Sequence, residues 1–196
     1  VDTHMQRYDI PNALKPVLPF LDDASNWYVR RSRKRFWKSD NDADKQLAYR
    51  TLHYVLVQLS LILAPFTPFL AEELYIKLTG GESVHLLDWP IVGHINELIV
   101  ADMAELRDGI NQGLAERAKA GIKVRQPLQK AVFAPSKPFA VEYAEEFAAI
   151  AMEELNVKEV RFEQTHHQDQ QFQLDTTITP ELKREGMARE VIRNVQ

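Results

Sequence analysis

Cysteine is absent from the 196 residues, which excludes a disulfide framework, a thiol nucleophile and a cysteine-bound zinc site. That absence fits a reducing, cytoplasmic setting. Long hydrophobic runs are also missing. The longest, around residues 55–69, is interrupted by Gln58, Ser60, Pro65, Thr67 and Pro68 and falls short of the ~20 apolar residues a membrane span needs. No charged-apolar-cleavage pattern opens the chain, so no secretory signal is expected. Nor does one sign of charge dominate: 24 Lys and Arg against 28 Asp and Glu leave a net charge of −4, which is no whole-chain polycation. At 45% apolar residues the composition is that of a folded domain and too apolar for a disordered tail. The chain starts at Val1 and stops within a helical pattern at Gln196, so a piece of a longer protein is expected.

Catalytic constellations are lacking too. There is no glycine-rich phosphate loop of either usual form and no Ser/His/Asp arrangement. His166-His167 has no further ligand placed nearby for a metal. The neighbouring acids Asp22-Asp23 and Glu72-Glu73 point to different helix faces and make no carboxylate dyad. By its own residues the chain reads as a binding module.

What is present is mainly helical. Residues 11–38 read as one long helix, with Pro11 in its first turn and Pro16 as a weak point. Its stripe is Leu14, Leu18, Leu21, Ser25, Tyr28 and Ser32, widened by Val17, Phe20, Ala24 and Trp27, at spacings of four and three. A second helix is expected over 43–64. A third opens at Thr67-Pro68 and is ended by Gly80-Gly81. An extended linker follows over 83–92. A fourth helix spans 97–119, with Ile99, Met103, Leu106, Ile110 and Leu114 inward. Four amphipathic helices with short connections predict a bundle. After Gly121 the period changes to strand 129–134, helix 140–155, strand 157–163 and helix 180–196, with a polar hairpin or loop at 164–173. This predicts a mainly α protein: a helix bundle over 1–128, then a small α/β (β-α-β-α) subdomain over 129–196.

Net charge conceals a local asymmetry. Residues 30–38 hold six cations and no acid. On a helix Asn26, Arg30, Arg33 and Trp37 share one face, flanked by Lys34 and Lys38. Cations on a rigid rod with aromatics between them match a phosphate backbone plus a stacking platform, and guanidinium forks grip phosphate as lysines cannot. The alternative is a solvated helix end whose basic residues favour the macrodipole. A second basic stretch, with Arg117, Lys119, Lys123, Arg125 and Lys130, lies where the fourth helix gives way to the α/β part.

Particular strings then carry a resemblance. Leu21-Asp22-Asp23-Ala24-Ser25-Asn26-Trp27-Tyr28-Val29-Arg30-Arg31-Ser32-Arg33-Lys34-Arg35-Phe36-Trp37 resembles the first bundle helix of isoleucyl-tRNA synthetases. Ala64-Pro65-Phe66-Thr67-Pro68-Phe69-Leu70-Ala71-Glu72-Glu73-Leu74-Tyr75 resembles a hallmark of class I anticodon-binding domains. Ser83-Val84-His85-Leu86 with Asp88-Trp89-Pro90, Val124-Arg125-Gln126-Pro127-Leu128, and the segment from Leu174 through Gly186 with Ala188-Arg189-Glu190 are similar to the linker, junction and C-terminal motifs of that family. They occur in the family's order over nearly the whole chain.

The resemblance implies part of an ATP-dependent isoleucine–tRNA ligase, with ATP and Mg bound elsewhere in the parent and no cofactor in this stretch. Neither a His-Ile-Gly-His-like nor a Lys-Met-Ser-Lys-Ser-like signature occurs in the sequence, so catalytic inactivity of this piece is expected. The implied partners are the anticodon stem-loop of tRNA(Ile) and the catalytic domain of the same parent chain. Expected tRNA contacts are Arg30, Arg33, Lys34, Phe36, Trp37 and Lys38, with Arg117, Lys123 and Arg125 as a second wall; no catalytic residue and no metal ligand is expected. Phe36 or Trp37 is the expected base-stacking ring, while Trp27, Tyr28 and Arg31 are assigned to packing or orienting. A valyl or leucyl relative, or a helical protein-interaction scaffold, remains open as an alternative.

Overall fold

The structure, a computed structural model, describes residues 1–37, 42–163 and 172–195. It is mainly helical with one small sheet. Contacts divide the chain into two compact units, Val1–Gly93 and His94–Gln196. The dividing point lies ahead of the fourth helix rather than at 128/129, because that helix packs on the small sheet and its crossover helix.

In the first unit, short helices α1 (Asp2–Met5), α2 (Ile10–Leu14) and α3 (Val17–Asp22) lead into a π-helical stretch, Asp23–Val29, and then α4 (Arg33–Trp37). The single helix expected over 11–38 is therefore subdivided. Pro16 caps α3 instead of continuing α2, since it has no N–H to donate to the preceding turn. The inward face agrees with expectation at Val17, Tyr28 and Ser32 and differs elsewhere: Ala13 is buried, Leu18 is 74% exposed, and Phe36 is inward. The changed positions Ala13 and Leu18 lie on either side of the Pro16 break, which separates α2 from α3 ahead of the π stretch.

Helix α5 (Asp42–Leu63) packs against both α4 and α6 (Pro68–Thr79). His53 joins the latter pair, its Nε2 lying 2.8 Å from the carbonyl of Leu78. Gly80 ends α6 at φ +69, a left-handed position that costs glycine nothing. Thr67 precedes Pro68 as expected, but its hydroxyl turns back to the Leu63 carbonyl at 3.4 Å. Within the expected linker, Val84–Leu86 forms a 3₁₀ turn, anchored by Glu72, which accepts from Ser83 Oγ (3.0 Å) and Val84 N (2.8 Å).

In the second unit, α7 (Glu97–Lys119) is capped by Asn96, whose side chain accepts from Ile99 N at 3.1 Å. Its buried face is Asp102, Leu106, Gly109, Ile110, Gly113 and Arg117. Leu106 and Ile110 are shared with the expected stripe, but the ends of the face are charged. At one end Asp102 pairs with Lys137 Nζ at 3.5 Å; at the other the Arg117 guanidinium meets backbone carbonyls. Strand β1 (Leu128–Phe133) lies between β2 (Val157–Phe162), which is parallel to it, and β3 (Phe172–Leu174), which is antiparallel. Helix α8 (Val141–Leu155) makes the parallel crossover. Beyond the expected β-α-β-α series, β3 is an added edge strand at the end of the stretch read as a hairpin or loop. Phe133, Phe139, Phe147 and Phe162 form an aromatic cluster with centroid separations of 5.0–6.1 Å. Helix α9 (Pro180–Val195) closes the unit. Among the described residues no helix is long and apolar enough to cross a membrane.

Candidate nucleic-acid interface

The basic segment before α5 sorts its cations by face. On the inward side Tyr28 Oη donates to the Ala48 carbonyl at 3.1 Å. Phe36 lies 5.0 Å from the Tyr49 ring. Arg35 forms a bidentate fork on Asp44, with Nε 2.9 Å from Oδ2 and Nη2 2.7 Å from Oδ1. The fork raises the Arg35 pKa and holds the Asp44 carboxyl below its ordinary 3.8. Arg35 thus anchors the segment to α5 and is committed to a carboxylate.

Arg30, Arg33, Lys34 and Trp37 are exposed. The Arg30 side chain folds along its own backbone, with Nε donating to the Asn26 carbonyl at 2.8 Å. Arg30 and Arg31 flank the Trp27 ring at 5.9 and 5.5 Å. Arg33 sits 5.6 Å from the centre of the Trp37 ring, and Trp37 is 66% exposed. This pair presents a cation and an aromatic plane to solvent, the two elements single-stranded nucleic acid binding uses.

Two expected contact residues must be reassigned. Phe36 is only 4% exposed and packs in the core, so it cannot offer a ring face to a base. The indole of Trp37 is the stacking candidate instead. Arg117 is 0% exposed, so it cannot form part of a phosphate-binding wall. Its Nη1 donates to the carbonyls of Lys123 (3.2 Å) and Gln126 (2.9 Å), and its Nη2 to that of Asn156 (3.0 Å). Burial lowers its pKa. Lys38 lies outside the described residues, as do His166 and His167. Lys123 and Arg125 are exposed in the second unit. The first unit thus brings Arg30, Arg33, Lys34 and Trp37 onto one short segment, and the second holds Lys123 and Arg125 on another.

Sequence reasoning missed the residue that holds the junction together. Asn156 adopts the left-handed conformation at the end of α8 (φ 49, ψ 55). Its Nδ2 donates to the Val124 carbonyl at 2.8 Å, its own carbonyl accepts from Arg117 and from Leu128 N (3.1 Å), and its Oδ1 accepts from Arg189. An asparagine just past a helix and ahead of a strand is the available signal for such a cap. Together Arg117 and Asn156 tie the backbone of 123–128 from two directions, and that backbone carries Lys123 and Arg125.

The Arg35–Asp44 fork has a pH signature. A depressed carboxyl contributes stability that is present above its ordinary value and lost as pH falls through its folded value. Asp44→Asn is expected to lower Tm at neutral pH, with the gap from the parent closing as pH drops below 3.8. Thermal melts across the acid range check this.

A family model described as the anticodon-binding domain of tRNA ligase matches residues 1–134. The chain is 39% identical over 216 aligned residues to an isoleucine–tRNA ligase of Dehalococcoides mccartyi (strain CBDB1), covering 100% of this chain and 21% of that protein. It is 39% identical over 179 residues to one of Bacillus thuringiensis (strain Al Hakam), covering 89% and 17%. To one of Chlamydia trachomatis serovar A it is 42% identical over 165 residues, covering 81% and 16%. The chain therefore spans about a fifth of the length of these relatives.

Proposed function

Because the chain belongs to the family of anticodon-binding domains of tRNA ligases, we propose that it holds the anticodon stem-loop of tRNA(Ile) for an isoleucine–tRNA ligase. In this reading the parent protein is cytoplasmic and joins isoleucine to tRNA(Ile) using ATP and Mg. Those ligands belong to the catalytic domain of the same parent chain, since the nucleotide-binding signatures do not occur in this sequence. Nothing in the chain is assigned a chemical step. Its work is positional: with the stem-loop held, the far end of the tRNA reaches the reacting centre as an oriented partner rather than a free solute.

The observation that carries the reading is the exposed Arg33–Trp37 pair beside Arg30 and Lys34, in a segment whose inward residues are fixed to α5. Phosphate contacts from the cations set register without reading sequence, and an unpaired loop base laid on Trp37 supplies discrimination. Lys123 and Arg125 contribute further phosphate contacts from the second unit.

The test is a titration with tRNA(Ile), a valine tRNA and an unrelated tRNA across a range of salt concentrations. Tighter binding of tRNA(Ile) is expected. Arg30→Ala with Arg33→Ala is expected to weaken all three and to reduce the salt-dependence slope by about two units, one for each phosphate no longer neutralised. An unchanged slope in a variant with the parent's melting curve removes these arginines from the interface. Equal affinity for all three tRNAs removes the isoleucine assignment.

A further inference from the structure

The loop 134–139 joins β1 to α8 and is fastened to α7 by two acids one turn apart. Glu105 accepts from the Ser136 backbone N–H and from its Oγ, the latter at 3.1 Å. Asp102 pairs with Lys137 Nζ at 3.5 Å. We propose that Lys137 is an acylation site, and that an acyl group on its Nζ unlatches this loop from α7. The device lies wholly within the His94–Gln196 unit and needs no RNA.

The two fastenings differ in what sustains them. Glu105 is held by hydrogen bonds, whereas neither carboxylate oxygen of Asp102 has a hydrogen-bond partner among the described residues. The Asp102 side chain is only 1% exposed. A carboxylate withdrawn from water and without hydrogen bonds keeps its charge only beside an opposite one. Lys137 supplies that charge while 51% of its own side chain faces solvent. The acid is therefore out of reach and the ammonium within reach, so a reagent that discharges the ammonium acts on the acid without touching it. Pro135 and Pro138 bracket Ser136-Lys137 and restrict the loop backbone, which brings Nζ to α7 at low conformational cost.

The donor is an activated acyl group such as acetyl phosphate. Nζ, having given one proton to solvent, forms the amide bond to the acyl carbon. The carbon–oxygen bond to phosphate breaks, and the second surplus proton leaves on the phosphate. The product is neutral and has lost the ion pair. Asp102 is then a buried charge without a counter-charge, and water reaches it once the loop lifts. Phe139 ends the same loop at 6% exposure, its ring centre 5.1 Å from that of Phe147 and 5.0 Å from that of Phe162. Release at Lys137 therefore loosens the aromatic cluster as well.

The test treats the chain with acetyl phosphate, maps the modified lysines by mass spectrometry and follows melting by far-UV circular dichroism. Lys137 is expected to be modified, with Tm falling by roughly 5 °C or more in proportion to its occupancy. Faster hydrogen exchange is expected across 134–139, where the Ser136 amide loses Glu105. Lys137→Arg keeps a charge that the reagent does not remove, and its Tm is expected to be unmoved by the same treatment. Lys137→Gln is expected to reproduce the loss without reagent and to add nothing in an Asp102→Asn background. The acylation site is overturned if Lys137 stays unmodified while Lys77, whose side chain is 72% exposed, is acetylated. The latch is overturned if Lys137→Gln melts like the parent or if its effect persists with Asp102→Asn. It is overturned equally if treated Lys137→Arg loses as much as the treated parent.

Discussion

Replacing Arg117 by methionine is expected to destabilise the His94–Gln196 unit by about 1–3 kcal/mol. The side chains are similar in length, so the loss is not one of volume. Of the three carbonyls that Arg117 serves, those of Lys123 and Asn156 keep a backbone N–H, from Gln126 N at 3.0 Å and Leu128 N at 3.1 Å, whereas the Gln126 carbonyl loses its donor inside the unit, and such an orphan costs about 1–3 kcal/mol. Arg117→Lys should not rescue. A guanidinium serves these carbonyls in a fixed fork, whereas one ammonium on a flexible stem cannot occupy both Nη positions. The Arg117 charge is stabilised by backbone dipoles, including its place in the last turn of α7, where a cation meets the negative end of the helix. Denaturant unfolding must be followed by far-UV circular dichroism, because all three tryptophans, Trp27, Trp37 and Trp89, lie outside this unit. An unshifted midpoint would mean that water serves these carbonyls instead.

Gly113→Ala is expected to destabilise the same unit by about 2 kcal/mol, opposite in sign to what helix propensity predicts. In an exposed helix interior the change would gain roughly 1 kcal/mol. Here an added Cβ would lie 2.5 Å from the Phe172 ring and 2.6 Å from Leu155, closer than any ordinary contact. Both neighbours belong to packed elements, β3 and α8, so overpacking at about 1–3 kcal/mol decides the sign. Gly109, one turn earlier, faces Phe133 at 2.5 Å in the same way, and Gly109→Ala should behave alike. A gain in Tm for either variant would mean that the helix stands further from the sheet than these distances allow.

These two residues also mark where the sequence was readable and where it was not. Helix α7 was legible as about 97–119 because its apolar recurrence is a local signal. Its face was not. Apolar periodicity selects Met103 and Leu114, yet the buried positions include Gly109 and Gly113, which carry no hydrophobic signal and are inside because they are small. Arg117 read as a surface cation for the same reason: a cation caged by carbonyls has no acidic partner in the sequence to betray it. In the first unit the cluster at 30–38 was visible as charge, but burial of Phe36 and commitment of Arg35 to Asp44 depend on α5 lying alongside. Family strings pointed to residues 21–37 as the expected binding segment. Sorting its side chains into those that hold and those that reach needed the third dimension.

The π-helical stretch Asp23–Val29 has a consequence for chain length. A π bulge accommodates one residue more than the α path it replaces. Deleting a single residue between 23 and 29 can therefore be absorbed by tightening to α geometry, leaving Ser32 and Phe36 still turned toward α5 and Arg33 and Trp37 still turned outward. The same deletion between 30 and 36 has no such slack. It would rotate the downstream residues by about 100°, bringing Phe36 to the surface and Trp37 toward the core. The segment that carries the proposed interface thus has one place where its length is negotiable, just ahead of the residues whose direction is not.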